Sequence, residues 1–325
     1  CIRFQNGLTC TSVSQCSQLS KRMNLRESNI TRLDTEQFDA LIIGGGINGA
    51  VSAAALAAHG ARVALIDARD FSGFTSQQSS NLVWGGIKYM EGYEFGLVAD
   101  LCKSRNELLD SFPSTVKEIR FLMALSRQFR FHPWVILAST WLYWLLGRGR
   151  TSIPRLLSVA QIRQSEPLID ADACIAGVEY SDAFLHDNDA RFVFNFIRSA
   201  MDKGCAAANY VESKGAARAA DGMWETEVED QVSGRRFTVR SKILVNAAGA
   251  YVDTHNQLCG IETQYHHLLS KGIHLIVPQI SEHHRVLAFF ASDQRLFFAI
   301  PMANRTCIGT TDARVDNPLT EVTDA

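Results

Sequence analysis

Residues Phe38 to Asp67 read FDALIIGGGINGAVSAAALAAHGARVALID, and no other stretch restricts the fold as much. Asp39 to Ile43 is a short apolar run, as expected of a strand buried on both faces. The pattern G-x-G-x-x-G follows at once, at Gly44, Gly46 and Gly49, with Gly45 and Asn48 inside it. Ala50 to His59 reads as a helix of small residues, and Gly60 is a natural stop for it. Arg62 to Ile66 reads as a second buried strand with Asp67 at its C-terminal end. In this β-turn-α-β unit Gly44 permits a tight turn and Gly46 lets the backbone approach a pyrophosphate. Gly49 lets the helix lie close to the strand, and the helix N-terminus faces the phosphate charge. Asp67 is placed to accept hydrogen bonds from a ribose diol. The unit predicts a dinucleotide site without separating NAD from FAD.

A chain of 325 residues has room for two domains. Its formal net charge of -2 gives no sign of a nucleic-acid partner. The eight Cys are scattered, with no C-x-x-C and no metal spacing, which favours reduced thiols. His266-His267 and His283-His284 read as loop histidines, so no metal site is expected. Residues 1–37 are rich in Ser, Thr, Asn and Gln without periodicity and are expected to form a disordered extension. They read either as a targeting segment or as translated upstream sequence with Met23 as the start, and the second reading is preferred.

After Asp67 comes a hydroxyl- and amide-rich loop containing Thr75, Ser76, Ser79 and Ser80. It reads either as a solvated Ser/Gln loop or as a set of donors for a pyrophosphate or a flavin ring. Gly85-Gly86 next allows close backbone approach to something flat, with Lys88 and Tyr89 beside it.

Here the chain resembles the FAD-dependent glycerol-3-phosphate dehydrogenases of aerobic glycerol use. The resemblance rests on Ile43 to Ala50, Thr75-Ser76, Ser79-Ser80 and Gly85-Gly86-Ile87-Lys88-Tyr89-Met90-Glu91. It resumes at Glu179 to Asp182, Asp189 to Arg191, Val245 to Gly249, Lys271 to His274 and Ile308 to Asp312. Many members carry His where this chain has Trp84, and Arg where it has Lys88. Lys keeps the charge but loses the planar fork. The family also continues well beyond Ala325, with a further phosphate-binding Arg and a second glycine-rich flavin contact, so the chain is expected to be an N-terminal fragment.

The resemblance implies an α/β fold: a doubly wound FAD/NAD(P)-binding domain of the D-amino-acid-oxidase type with a mixed-sheet substrate domain. The expected boundaries are 38–115 and 188–258 for the FAD domain, and 116–187 and 259–325 for the substrate or cap domain. It implies oxidation of sn-glycerol 3-phosphate to dihydroxyacetone phosphate, with FAD as cofactor and a membrane quinone as acceptor. The rival is another flavin enzyme of amino or hydroxy acids, or an inactive FAD-binding fragment. The resemblance places Lys88 and Tyr89 near substrate and His274 near the flavin. It adds Val211, Ala248, Gly249, Gly309 and Thr310 to the cofactor contacts, and leaves room for a homodimer.

Pro133 to Leu146 is strongly apolar, Trp-rich and flanked by Arg, yet too short to span a bilayer. It reads either as an interfacial helix or as a buried one. The resemblance favours peripheral attachment, on the cytoplasmic face of a bacterial inner membrane or on the mitochondrial inner membrane. Asp187 to Asp189 is expected to cap a helix over 190–203, followed by a strand over 206–211. Asp221-Gly222 and Ser233-Gly234 signal two hairpins, and Ile243 to Gly249 is expected to return to the parallel sheet as a buried strand.

Overall fold

The structure is a computed structural model that describes residues 24–290, 296–309, 311 and 313–320. By internal contacts the chain divides into two units, Cys1–Gln77 with Val193–His267 and Gln78–Phe192 with Leu268–Ala325.

The first unit carries α1 (Leu25–Thr35), β1 (Gln37–Ile43), α2 (Ile47–Ala58) and β2 (Val63–Ile66). Every residue of β2 and most of β1 are buried, which is why these short runs of Leu, Ile, Val and Ala form strands in mid-sheet. The sheet order among the described residues is β7-β2-β1-β10-β9-β8. Its later strands are β7 (Ala206–Ala208), β8 (Val211–Arg218), β9 (Trp224–Asp230) and β10 (Arg236–Asn246). Pairing is parallel through β7, β2, β1 and β10, with Ala40 opposite both Val63 and Ile243. It turns antiparallel through β9 and β8, where the Asp221-Gly222 and Ser233-Gly234 hairpins lie. One long strand thus serves both the meander and the parallel core. One face packs Ala50, Ala53 and Ala57 of α2 against Ile42, Val63 and Leu65.

Three sequence expectations change here. Residues 25–35 are helical rather than an unstructured extension; Cys1 to Met23 lie outside the described residues. The α1 helix buries Ile30 and Leu33 in the core, and Arg26 bonds Asp230 at 2.5 Å. Burial pushes the Asp230 carboxyl up, but hydrogen bonds from Arg26, Ser233 and the Val232 amide more than offset this and hold it at about 2. The strand expected over 206–211 breaks after Ala208 because Tyr210 adopts φ +54, so Val211 opens β8 instead. Ile243 is 59% exposed, so the end of β10 is not buried on both faces.

In the second unit come β3 (Leu82–Val83), α3 (Phe95–Ser111), β4 (Val116–Ser126), α4 (Pro133–Leu146), β5 (Arg155–Leu157), α5 (Val159–Ser165) and β6 (Cys174–Leu185). The next helix, α6 (Asp189–Asp202), starts in this unit and ends in the first. Asn188 caps it, accepting from the Arg191 amide at 2.7 Å. The first unit's α7 (Val252–Leu258) precedes the last strands: β11 (Ser270–Lys271), β12 (Leu275–Pro278), β13 (Arg285–Phe290), β14 (Leu296–Met302), β15 (Arg305–Gly309) and β16 (Ala313–Arg314). A mixed sheet runs β12-β15-β14-β13-β4-β6-β3, with β5 also on β6. Period-two alternation along β4 and β6 divides their side chains between two cores. Phe121, Val178 and Tyr180 face α3 and α4, whereas Leu122 faces α5. The expected domain boundary at residue 115 therefore moves to 77. Residues 82–111 belong with the mixed sheet because β3 pairs β6 and Val98 and Cys102 of α3 enter its core.

Candidate functional site

The first unit contains the glycine turn at the C-terminal edge of its parallel strands. Gly44 has φ +104, and a Cβ there would stand 2.4 Å from the Ala247 carbonyl oxygen. A Cβ on Gly49 would stand 1.8 Å from the Gly44 carbonyl oxygen. These two glycines are therefore required by backbone meeting backbone, before any ligand is considered. Gly46 is different: it is the N-cap of α2, and a Cβ there meets only the Ser76 side chain, at 3.1 Å. Ile47 and Asn48 are exposed at the start of the helix, and Ser76 Oγ accepts from the Ile47 amide at 3.0 Å. An open helix start with no side-chain cap from its own N-cap residue is a natural anion seat.

Asp67 directly follows β2. Its Oδ2 accepts from the Gly45 amide at 2.6 Å and its Oδ1 from the Arg69 amide at 2.8 Å. Burial raises its pKa, partly countered by these two amides. Each carboxylate oxygen keeps a second lone pair for a hydroxyl donor. The Val211 amide donates to the Asp67 carbonyl oxygen at 2.8 Å, so Val211 borders this end of the sheet. Ala248 and Gly249 follow β10 on the same edge, and Gly249, at φ +56, has open space where a Cβ would lie. Thr75 begins the short 3-10 turn that carries Ser76.

In the second unit, Ser79 is committed to structure. Its hydroxyl and amide both donate to Asp189 Oδ2, at 2.7 and 2.9 Å, and Asn81 Oδ1 accepts from the Asp189 amide. Ser80 is half-buried beside it. Gly85 and Gly86 are buried for a local reason. A Cβ on Gly85 would lie 2.2 Å from Tyr143 Oη, and one on Gly86 2.7 Å from Leu101 Cδ1. The following 3-10 turn, Ile87–Gly92, presents Lys88 and Tyr89 exposed. Trp84 packs edge-on against Phe298, ring centroids 6.5 Å apart. His274 is half-buried before β12, and burial lowers its pKa. Gly309 lies against it: a Cβ there would meet His274 Cδ2 at 2.8 Å. Thr310 lies outside the described residues.

A model of the FAD dependent oxidoreductase family matches residues 39–325. The chain belongs to the FAD-dependent oxidoreductases. Within this family it is 36% identical over 279 residues to the glycerol-3-phosphate dehydrogenase of Pseudomonas tolaasii, covering 85% of this chain and 53% of that one. It is 33% identical over 279 residues to the aerobic glycerol-3-phosphate dehydrogenase of Escherichia coli K12, covering 85% and 54%. The chain spans about half the length of the curated relatives it matches. The crystal structure of the glycerol-3-phosphate dehydrogenase from Bacillus halodurans complexed with FAD superposes with a TM-score of 0.69 at 26% identity, covering 90% of this chain and 51% of that one. The L-alpha-glycerophosphate oxidase of Mycoplasma pneumoniae shares the fold, with a TM-score of 0.65 at 17% identity.

FAD is this oxidoreductase family's cofactor, and the cradle in the first unit suits it. The open helix start at Gly46 to Asn48 would offer amides to its pyrophosphate, and Asp67 would offer a carboxylate to its ribose. A buried polar cluster of the second unit is not legible in the sequence: Arg105, Tyr143 and Asp182 meet under Gly85. Asp182 stands out in the sequence only within the Glu179 to Asp182 motif, and a lone Arg in an amphipathic helix carries no signal of burial.

Proposed function

We propose that this FAD-dependent oxidoreductase chain carries the flavin site and part of the substrate site of a glycerol-3-phosphate dehydrogenase. The reaction is oxidation of sn-glycerol 3-phosphate at C2 to dihydroxyacetone phosphate, with a membrane quinone as final acceptor. The observation that carries this reading is the likeness to named glycerol-3-phosphate dehydrogenases across 85% of the chain, at 36% and 33% identity. Bound FAD would supply the hydride acceptor. Gly46, Asn48 and Asp67 would hold its pyrophosphate and ribose. Lys88 stands exposed on its turn and offers a point charge to a phosphate dianion. Tyr89 adds a hydroxyl beside it. Burial lowers the pKa of His274 and so favours the neutral imidazole, the form able to take the C2 hydroxyl proton.

Peripheral membrane attachment is part of the same reading. No described helix is long and apolar enough to cross a membrane. The α4 helix buries Tyr143 and Thr140 and exposes Trp134, Val135, Ala138, Trp141, Leu142 and Leu145 at helical spacing. Arg127 before it and Arg148 after it are exposed and suit an anionic bilayer surface, whereas Arg130 and Arg150 pair with Glu91 and Asp110, each at 2.6 Å.

The test uses the full-length, FAD-loaded protein and follows loss of flavin absorbance anaerobically with glycerol 3-phosphate, glycerol, amino acids and hydroxy acids. Rapid reduction by glycerol 3-phosphate alone is expected. Lys88→Met should raise KM for glycerol 3-phosphate and lower kcat/KM by about 1.5–3 kcal/mol while flavin stays bound. Reduction by an amino acid but not by glycerol 3-phosphate overturns the assignment.

A further inference from the structure

The Gly85–Tyr89 segment is held from beneath by three separate elements. Asp182 of β6, wholly buried, accepts from the Gly85 amide at 3.1 Å. Arg105 of α3, 2% exposed, donates to the same carboxylate oxygen at 2.8 Å. Tyr143 of α4 donates to Asp182 Oδ2 at 2.8 Å and accepts from Arg105 Nη1 at 3.2 Å. The remaining guanidinium nitrogens go to Asn106 Oδ1, and Asn106 donates in turn to the Gly147 carbonyl at the end of α4. Cys102 Sγ lies 3.8 Å from the Gly85 carbonyl oxygen. Both polar groups of Gly85 are thus met from the interior, and the space a side chain would fill is taken by Tyr143 Oη.

Such a cluster is poor value as a source of stability. A buried ion pair loses most of its Coulomb gain to desolvation, and apolar residues of the same volume serve as well or better. What apolar residues cannot do is accept a hydrogen bond from a glycine amide and so fix where a turn begins. Three residues beyond that amide stands Lys88.

We propose that Asp182, fixed by Arg105 and Tyr143, is a positioning residue: it anchors the Gly85 amide and thereby sets the place of Lys88 and Tyr89 at the substrate. The Lys88 part rests on the proposed function above; the anchoring of the turn does not.

The test takes Tyr143→Phe in the full-length, FAD-loaded protein. The ring keeps its edge contact with Tyr180, at 6.1 Å, and its place beside Arg105, while the hydroxyl's hydrogen bond to Asp182 and the one it accepts from Arg105 Nη1 are lost. Hydrogen exchange should speed up about tenfold over residues 85–89, the worth of one hydrogen bond to a charged group, with β4 and β6 unchanged. KM for glycerol 3-phosphate should rise about tenfold with kcat nearly unchanged. Crucially, adding Tyr143→Phe to Lys88→Met should cost less than Tyr143→Phe costs in the wild type, because the Lys88 contact is common to both changes. A purely structural role predicts additive losses, so additivity overturns the proposal, as does unaltered exchange at 85–89. If Tyr143→Phe does not fold, Asp182→Asn is read by the same two criteria. A wild-type protein that ignores glycerol 3-phosphate overturns the proposed function, and the exchange result still decides the anchoring.

Discussion

Gly49→Ala sets two familiar effects against each other. Replacing a helical glycine with alanine ordinarily gains up to about 1 kcal/mol. Gly49, however, lies in the first turn of α2, where the added Cβ would stand 1.8 Å from the Gly44 carbonyl oxygen and 3.1 Å from its carbon. Ordinary contact begins near 3.4 Å, so the helix start must lift from β1 by roughly 1.5 Å. That opens the tight seam in which Ala50 and Ala53 meet Ile42 and Leu65. Overpacking typically costs about 1–3 kcal/mol when side chains can yield. Here the obstacle is backbone, so the upper end applies and the steric term wins. A net loss of about 2–3 kcal/mol corresponds to a fall in Tm of roughly 4–12 °C for a unit of this size. The same shift moves the amides of the pyrophosphate seat, so flavin should be lost on gel filtration. Gly96→Ala is the control: it lies early in α3 with no atom within 4 Å of the new Cβ, and should be neutral or slightly stabilising. The assay is thermal unfolding together with flavin absorbance of the desalted protein. A Gly49→Ala protein that melts with the wild type and keeps its flavin refutes this account of the close approach.

Other outcomes are expected. Arg26→Ala should destabilise the first unit by about 1.5–3 kcal/mol, because it strips a buried Asp230 of its cation; chemical denaturation with no change in midpoint would show that α1 is not anchored there. Burial raises the Asp182 carboxyl from 3.8 to about 6 despite the bonds from Arg105, Tyr143 and the Gly85 amide. A carboxyl whose pKa is raised by folding favours the protonated native state, so its contribution to stability falls as pH rises from about 4 to about 6 and is level above. The stability of the wild type relative to Asp182→Asn should therefore decline by on the order of 3 kcal/mol across that window, and a flat difference would contradict it. Trp134→Ser with Leu145→Ser, at positions 62% and 61% exposed, should reduce flotation with anionic vesicles while leaving flavin bound; unchanged flotation argues against α4 as the attachment face. Trp144 is a poor choice for that test, since its Nε1 donates to the Thr151 carbonyl at 2.7 Å and holds the end of the helix.

The parts legible in the sequence were those encoded locally. A strand, three spaced glycines, a small-residue helix and an acid fall within thirty consecutive residues, from Phe38 to Asp67. Their backbone demands leave few other residue types possible. The hairpins at Gly222 and Gly234 were legible for the same reason, as positions of positive φ. Tertiary structure alone decided the rest. Pro133 to Leu146 is apolar on all sides, so only packing reveals that Tyr143 points inward while Trp134 and Leu145 do not. Arg105 lies 77 residues from Asp182, and Tyr143 lies 39 residues from it. No spacing rule joins an Arg on one helix, a Tyr on another and an Asp in mid-strand. The pairing of β4 with β6 and the packing of two helices on that sheet bring them to a single glycine amide, and burial then makes the three depend on one another.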